Sequence, residues 1–213
     1  MVSTWTQKLR NLFNQPAFLI VKDVLNKIPG HPVEVASFFV LNLFDTPAKA
    51  LPDCGTVRTG TVADVPGMCR LENKKEMFLK RLADGESCAI AIRDAAVVGY
   101  IWFSDKAHHT EQRYNYRLEI PEDSIYSYDC YIQREYRLRG IWVLFQRYML
   151  DEAARLGRKK IITMVDYGNN ASLKAHLRYG YVIKNKIFWV RCFSAGYFLS
   201  RSPVPSVARP YPR

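Results

Sequence analysis

The chain has 213 residues, of which 48% are hydrophobic and 24% are charged. These values are typical of a globular protein with one large domain, and they exclude a disordered, collagen-like or disulfide-stapled chain. Lysine and arginine (31) exceed aspartate and glutamate (20), so the formal net charge is +11 at pH 7. Such a surplus attracts polyanions such as nucleic acid, an anionic membrane or a phosphate-rich cofactor, although it also serves solubility.

The N-terminal residues 4–28 predict one or two amphipathic helices, interrupted near Pro16. Their apolar positions form two stripes, one of Trp5, Leu9, Leu12 and Phe13 and one of Ile20, Val24 and Ile28. Stripes of this kind usually pack on their own domain or on a second copy of the chain, so a homodimer contact is one prediction. Contact of these basic helices with an anionic membrane is the alternative.

A further apolar segment at residues 33–44 completes a predicted N-terminal extension, residues 1–50. Crossing a bilayer takes about 20 apolar residues, so this segment is too short for a membrane span. No secretory signal is recognised, and the five cysteines and four histidines show no disulfide or zinc-ligand spacing. These features predict a cytoplasmic protein without a bound metal, with a peripheral membrane location as the alternative.

From residue 56 onward, the sequence alternates predicted strands and helices. The first half predicts a strand at Thr56–Thr59, a helix from Asp64 to Leu82, a hairpin of residues 88–92 and 97–103, a polar surface loop at 107–117 and a strand at 125–132. The second half predicts a helix that starts at Ile141 and is closed by Gly157, a strand at 160–165, a helix at 171–179 and two closing strands at 181–184 and 187–193.

Strand–helix–strand units require a partly parallel sheet covered by helices. The predicted fold is therefore mixed α/β (α+β), with a helical N-terminal extension and a main domain over residues 51–200. Residues 201–213 contain four prolines, three arginines and no acidic residue, which predicts a flexible basic tail.

The first chemical signal is the sequence RLRG at residues 137–140, which joins a predicted strand directly to a predicted helix. The first turn of a helix presents free backbone N–H groups and the positive end of the helix dipole. A glycine there lets the backbone approach a ligand closely, and the arginines add positive charge. The segment predicts a pyrophosphate-binding site, with an ordinary basic strand–helix turn as the alternative.

A second group of residues follows 29 positions after Gly140: Asn169, Ser172, His176 and the pair Gly180-Tyr181. Together with Arg137 and Gly140, this arrangement resembles the GNAT superfamily of acyl-CoA-dependent N-acetyltransferases. The signature of that family is Q/R-x-x-G-x-G/A at a helix start, followed on the next strand–helix unit by an asparagine and a glycine–aromatic pair. The resemblance is detailed over residues 125–193 and looser over 56–193. One departure is Trp142, which stands where the signature has a small residue.

The resemblance implies an enzyme that moves an acetyl or longer acyl group from acyl-CoA to an amine of a small molecule or protein. The amine would attack the thioester directly in a ternary complex, with the acyl-CoA lying between two central parallel strands that splay apart. The residues implied to bind acyl-CoA are Cys130, Tyr131, Ile132, Arg137, Leu138, Arg139, Gly140, Ile141, Trp142, Asn169 and Ser172.

The resemblance also implies two proton transfers. His176 stands where many relatives have a tyrosine that protonates the leaving thiolate, and imidazole, which titrates near ~6.5, could donate or relay a proton. Tyr128 and Asp129 on the central strand are the chosen candidates for the base, beside Tyr126, Glu119 and Glu122. A packed or surface role for His176 and a solvated Asp129 are the alternatives.

A different class of function remains open on the same evidence. Residues 133–186 contain twelve lysines and arginines against four acidic residues. A module of the same shape without catalytic activity could use this charge to bind nucleic acid or an anionic membrane surface. A nucleic-acid complex would weaken steeply with salt, whereas a CoA enzyme would be saturated by acyl-CoA.

Overall fold

The computed structural model of this chain describes residues 16–25, 27–29, 33–44, 53–111, 116–192, 195–200 and 209–210. The predicted apolar stripe of Trp5, Leu9, Leu12 and Phe13 lies outside these residues, as does most of the predicted tail. The division into residues 1–50, 51–200 and 201–213 therefore stays a prediction, apart from the strand at residues 33–44 considered below.

The described part of the chain contains five α-helices: α1 (Pro16–Leu25), α2 (Val65–Leu71), α3 (Lys75–Ala83), α4 (Ile141–Arg155) and α5 (Asn170–Tyr179). Its strands are β1 (Val33–Phe44), β2 (Thr56–Thr59), β3 (Ser87–Arg93), β4 (Ala96–Ser104), β5 (His108–Glu111), β6 (Tyr116–Glu119), β7 (Ser124–Ile132), β8 (Lys160–Asp166), β9 (Val182–Cys192), β10 (Ala195–Ser200) and β11 (Arg209–Pro210).

The strands form one large sheet in the order β10-β9-β1-β8-β7-β4-β3-β2 and a small sheet in the order β11-β6-β5. Within the large sheet, β7 and β8 are parallel and the other pairs are antiparallel. This arrangement confirms the predicted mixed α/β fold with a partly parallel central sheet flanked by helices.

Helices cover both faces of the sheet and bury two apolar layers. On one face, α4 buries Ile141, Phe145 and Met149, which recur every four residues and so share one side of the helix. On the other face, Met68 of α2 and Phe78 of α3 pack in a cluster with Tyr100 and Trp102 of β4. The site described below lies where β7 and β8 pass between these two layers.

The apolar segment Val33–Phe44, which the sequence analysis placed in an N-terminal extension, is instead a strand inside the sheet. It pairs antiparallel with β8 on one side and with β9 on the other. A strand that is covered on both faces is apolar almost without interruption, so its sequence lacks the alternation that marks a half-exposed strand. The helix α1 packs beside it, with Phe18 buried in a cluster with Val35 and Phe188.

Three other predicted elements differ from the structure. The helix predicted from Asp64 to Leu82 is two helices, because the backbone of Glu72 is extended (φ −146°, ψ 126°) and ends α2. The predicted surface loop at 107–117 contains the strand β5 and the start of the strand β6, which pair antiparallel, and His109 of β5 is buried. The two closing strands predicted on either side of residue 185 are one continuous strand, β9.

Candidate active site

The site is built on the point where the parallel pair of the sheet comes apart. β7 and β8 are paired from Ser124 to Ser127, where the Thr163 hydroxyl donates a hydrogen bond of 3.0 Å to the Ser127 carbonyl. Just beyond, Asp129 is an extra residue in β7, since its neighbours on either side pair with consecutive residues of β4. Its φ of +41° is rare for a residue with a side chain, so the bulge bends β7 away from β8.

A cavity of about 500 Å³ occupies this opening. Its lining consists of Ile101, Ser127, Tyr128, Asp129, Cys130, Tyr131, Ile132, Arg137, Trp142, Thr163, Met164, Val165, Asn169, Ser172, Ala175 and His176. All three predicted catalytic residues are among them, with seven of the residues predicted to bind acyl-CoA. Six lining residues were missed by the sequence analysis, and three of them, Thr163, Met164 and Val165, come from the carboxyl half of β8, which was predicted as a strand without any role in the site.

Four predicted residues, Leu138, Arg139, Gly140 and Ile141, form the connection from β7 to α4 rather than the lining of the cavity. Gly140 is the N-cap of α4 and has φ +94°, a conformation that favours glycine. Its carbonyl accepts hydrogen bonds from the backbone N–H groups of Val143 and Leu144, and Ile141 is buried under the helix. The N–H groups of Val143 and Leu144 are therefore bonded within the helix, and those of Ile141 and Trp142 before them point out of the helix end, as an anion-binding site requires.

Arg137 folds back across the end of β7. Its Nε donates a hydrogen bond of 2.9 Å to the Ile132 carbonyl, and its guanidinium carbon lies 5.7 Å from the centre of the Tyr131 ring. These two contacts hold a positive charge beside the cavity and beside the N-terminus of α4.

The large side chain of Trp142 packs between α4 and α5. The centre of its ring lies 4.9 Å from that of His176 and 5.4 Å from that of Tyr179, both in edge-to-face geometry. Because Trp142 also lines the cavity, it forms part of the wall on the α5 side.

His176 is held in one orientation and is buried (9% exposed). Its Nδ1 lies 2.8 Å from the Ser172 carbonyl, and a carbonyl can only accept, so this contact assigns the proton of the neutral ring to Nδ1 and leaves Nε2 as an acceptor. Burial lowers the pKa of His176, opposed by the hydrogen bond to Ser172, so the ring is neutral at pH 7. At the start of the same helix, the Asn169 side chain accepts a hydrogen bond of 3.1 Å from the Ser172 N–H and caps α5.

Asp129 is partly buried and paired with cations from the α3 side of the sheet. Arg81 Nη1 lies 2.5 Å from Asp129 Oδ2, and Lys74 Nζ lies 3.5 Å from Asp129 Oδ1. The predicted alternative of a solvated carboxylate therefore does not describe this side chain. The neighbouring Tyr128 has a buried hydroxyl with no hydrogen-bond partner in the described part of the chain.

Among the residues that the structure describes, no three histidine, cysteine, aspartate or glutamate side chains are grouped so that they could hold a metal ion. No helix among them is long and apolar enough to cross a membrane.

A sequence model of the acetyltransferase (GNAT) family matches residues 62–181. No curated protein matches the sequence significantly.

Three solved structures have a similar fold. One is a Novosphingobium aromaticivorans protein assigned to the GNAT family, at 14% identity over 75% of this chain and 66% of that chain (TM-score 0.52). A Drosophila protein matches at 16% identity over 75% and 52% of the two chains (TM-score 0.53). A functionally unknown conserved protein from Staphylococcus epidermidis matches at 11% identity over 90% and 82% (TM-score 0.52). This chain spans less than two thirds of the length of the first two, and identities this low show a shared fold alone.

Proposed function

Because the chain belongs to the acetyltransferase (GNAT) family, we propose that it moves an acetyl or longer acyl group from an acyl-CoA to an amine of a small molecule or a protein. The observation that carries this proposal is the cavity between β7 and β8, which lies beside the N-terminus of α4. An elongated ligand with a pyrophosphate at one end and a reactive thioester at the other fits such a combination of opening and helix end.

In this proposal, the helix end and the strand edge bind different parts of acyl-CoA. The N–H groups of the first turn of α4 hold the pyrophosphate, Gly140 allows its close approach, and Arg137 and Arg139 add positive charge. The pantetheine arm lies along residues 130–132, whose edge toward β8 is opened by the bulge at Asp129. Asn169, Ser172 and Trp142 form the wall on the α5 side.

The thioester supplies an acyl carbon that the amine attacks directly within a ternary complex, so that the C–N bond forms, the C–S bond breaks and the thiolate leaves. Neutral His176 has Nε2 free to accept a proton, which suits a relay better than direct donation to the thiolate. Tyr128 lines the same cavity, and its buried hydroxyl has no hydrogen-bond partner among the described residues. The Asp129 carboxylate, fixed by Arg81, supplies negative charge where the acceptor ammonium must arrive.

Calorimetric titration of the purified chain with acetyl-CoA and with free CoA, at low and at high salt, tests the cofactor site. We expect saturable binding at both salt concentrations, in the micromolar range. A panel of amines is then screened by release of the free thiol, with the acceptor omitted as the control.

The absence of saturable binding at both salt concentrations would contradict the proposal. The same titrations with single-stranded nucleic acid and with anionic vesicles address the alternative of a non-catalytic basic module. Affinity for nucleic acid that falls steeply with salt, together with no binding of acetyl-CoA, would support that alternative.

A further inference from the structure

The turn between α2 and α3 places one lysine ammonium between two carboxylates beside the cavity. Lys74 Nζ lies 3.1 Å from Glu72 Oε2 and 3.5 Å from Asp129 Oδ1. Asp129 lines the cavity from the bulge of β7, so the ammonium is held next to the place where the strands open.

The two carboxylates are fixed by groups other than Lys74. Arg81 holds Asp129 at 2.5 Å, and the Arg81 guanidinium is itself held over the rings of Trp102 and Tyr128, at 5.1 Å from each ring centre. The hydroxyl of Tyr100 donates a hydrogen bond to Glu72.

Tyr100 is well placed to hold Glu72 permanently. It is fully buried and packs against Phe78 and Tyr131. Burial, reinforced by the hydrogen bond to Glu72, raises the pKa of the Tyr100 hydroxyl, so it keeps its proton and stays a donor. Both carboxylates therefore keep their positions when Lys74 is absent.

Lys74 is the displaceable member of this cluster. Its side chain is more exposed (32%) than those of Arg81 (19%) and Asp129 (21%), and it has a flexible four-carbon stem on a turn. Without Lys74, the two carboxylates and Arg81 carry a net charge of −1, which matches a single ammonium group. The protein as a whole carries +11 and repels cations, so an amine needs a local site of this kind.

We propose that Glu72 and Asp129 form the acceptor subsite for a primary alkylammonium group and that Lys74, its internal occupant, is acylated in cis when no external amine competes. This inference rests on the proposed acyl transfer and assigns both its acceptor class and a modification site. A lysine-like side chain or a simple alkyl diamine carries the required group.

The step balances with the groups at hand. The Lys74 ammonium passes one proton to Glu72, its nearest carboxylate, and the freed amine attacks the thioester carbon. The C–N bond of the amide forms as the C–S bond breaks, the second amine proton passes to solvent, and the thiolate takes a proton from solvent. The neutral amide no longer pairs with the carboxylates, so acylation vacates the subsite.

Peptide mapping of the full chain during incubation with acetyl-CoA tests the inference. Lys75, the next residue and an exposed one, is the internal control. We expect Lys74 to be acetylated at least about tenfold faster than Lys75, because its ammonium is held against Asp129 at the wall of the cavity proposed to receive the thioester. The rate should not depend on protein concentration, and pentane-1,5-diamine should slow it by competing for the subsite.

Acetyl-CoA binding is measured by calorimetry on the same sample, which separates the two proposals. Saturable binding with equal acetylation of Lys74 and Lys75 would overturn this inference and leave the proposed function standing. No saturable binding would overturn both. The variant Glu72→Gln should slow acetylation of Lys74 at least about tenfold with the affinity for acetyl-CoA unchanged, and an unaltered rate would also count against the subsite.

Discussion

The two sides of the cavity are built from different chemical groups. On the side of α4 and α5, the positive character comes from the backbone at a helix start and from Arg137, and the side chains Trp142 and His176 are neutral. On the side of α2 and α3, four charged side chains pair with one another: Glu72, Lys74, Arg81 and Asp129. The cavity therefore lies between a wall with a permanent positive character and a wall whose charged side chains neutralise one another.

This difference determines which ligand each side can recognise. Backbone dipoles cannot move or change protonation, so the α4 side offers a permanent site for a polyanion. On the α2–α3 side, the Lys74 ammonium can be exchanged for the ammonium group of a ligand. This side therefore binds a ligand in place of Lys74, because its neutralised charges do not attract a cation from a distance. Because the two functions use separate groups, each can be removed without the other.

Gly140→Asp should have the largest effect, because it alters the anion site directly. An aspartate would place a carboxylate where the pyrophosphate binds and would adopt the strained φ of +94°. We expect the dissociation constant for acetyl-CoA to rise at least about 100-fold, or roughly 2.7 kcal/mol. Calorimetry measures the effect.

Gly157→Asp is the matched control for this variant. Gly157 also has a positive φ (+68°) and nothing within 4 Å of an added Cβ, but it lies at the other end of α4. Its affinity for acetyl-CoA should equal that of the unmodified protein. Equal loss of affinity in both variants would show that backbone strain, and not the anion site, is responsible.

Arg81→Ala should have the next largest effect, this time on stability. The variant leaves the partly buried Asp129 without its main partner and removes the stacking of the guanidinium on two rings. Loss of one partner of a fully buried pair costs about 3–5 kcal/mol, and partial exposure reduces this, so we expect the free energy of unfolding to fall by about 2 kcal/mol. Denaturant unfolding followed by circular dichroism measures it.

The neighbouring pair Lys80–Asp84 provides the control for Arg81. It is also an ion pair of α3, with a distance of 2.8 Å, but both side chains are largely exposed. Lys80→Ala should leave the free energy of unfolding unchanged within error, because exposed pairs contribute little. A loss for Arg81→Ala as small as that for Lys80→Ala would show that Asp129 behaves as an ordinary surface residue.

His176→Phe should have a smaller effect, and on rate alone. Phenylalanine can keep the edge contacts with Trp142 and Tyr181 but has no nitrogen to accept a proton. We expect the acyl-transfer rate to fall at least roughly tenfold, with the affinity for acetyl-CoA nearly unchanged. Leu177→Phe, at an exposed position of the same helix, is the control and should keep the full rate. An unaltered rate in the first variant would remove His176 from the mechanism.

On the α4–α5 side of the cavity, the site residues could be predicted from the sequence because they lie in short local features. Gly140 caps α4 in the connection that follows β7, and Asn169 caps α5 in the short connection that follows β8, so each site element is fixed by residues close to one another in the chain. Such connections have sequence signals, since glycine and asparagine occupy positions that few other residues tolerate.

On the other side, Asp129 was predicted as a candidate base, but its partners Arg81 and Lys74 could not be predicted because these contacts are distant in the chain. Arg81 and Asp129 are separated by 48 residues, and no spacing rule relates them. The bulge at Asp129 depends on register with β4, which the residues of β7 alone do not specify. The strand β1 was misplaced for the same reason, because its neighbours β8 and β9 lie more than a hundred residues further along the chain.

The pH dependence of the free energy of unfolding tests whether His176, on the α4–α5 side of the cavity, is neutral. Burial holds the pKa of His176 below that of the unfolded chain, about 6.5, and the Trp142 and Tyr181 rings that face it carry no charge. Between the two pKa values the unfolded chain binds more protons, so the free energy of unfolding decreases as the pH falls below about 6.5. A single group contributes a slope of at most about 1.4 kcal/mol per pH unit. His176→Phe should remove this part of the slope, and the difference between the two stability curves isolates it because the rest of the chain is the same in both proteins. Parallel curves from about pH 7.5 to about pH 5 would show that His176 titrates as it does in water.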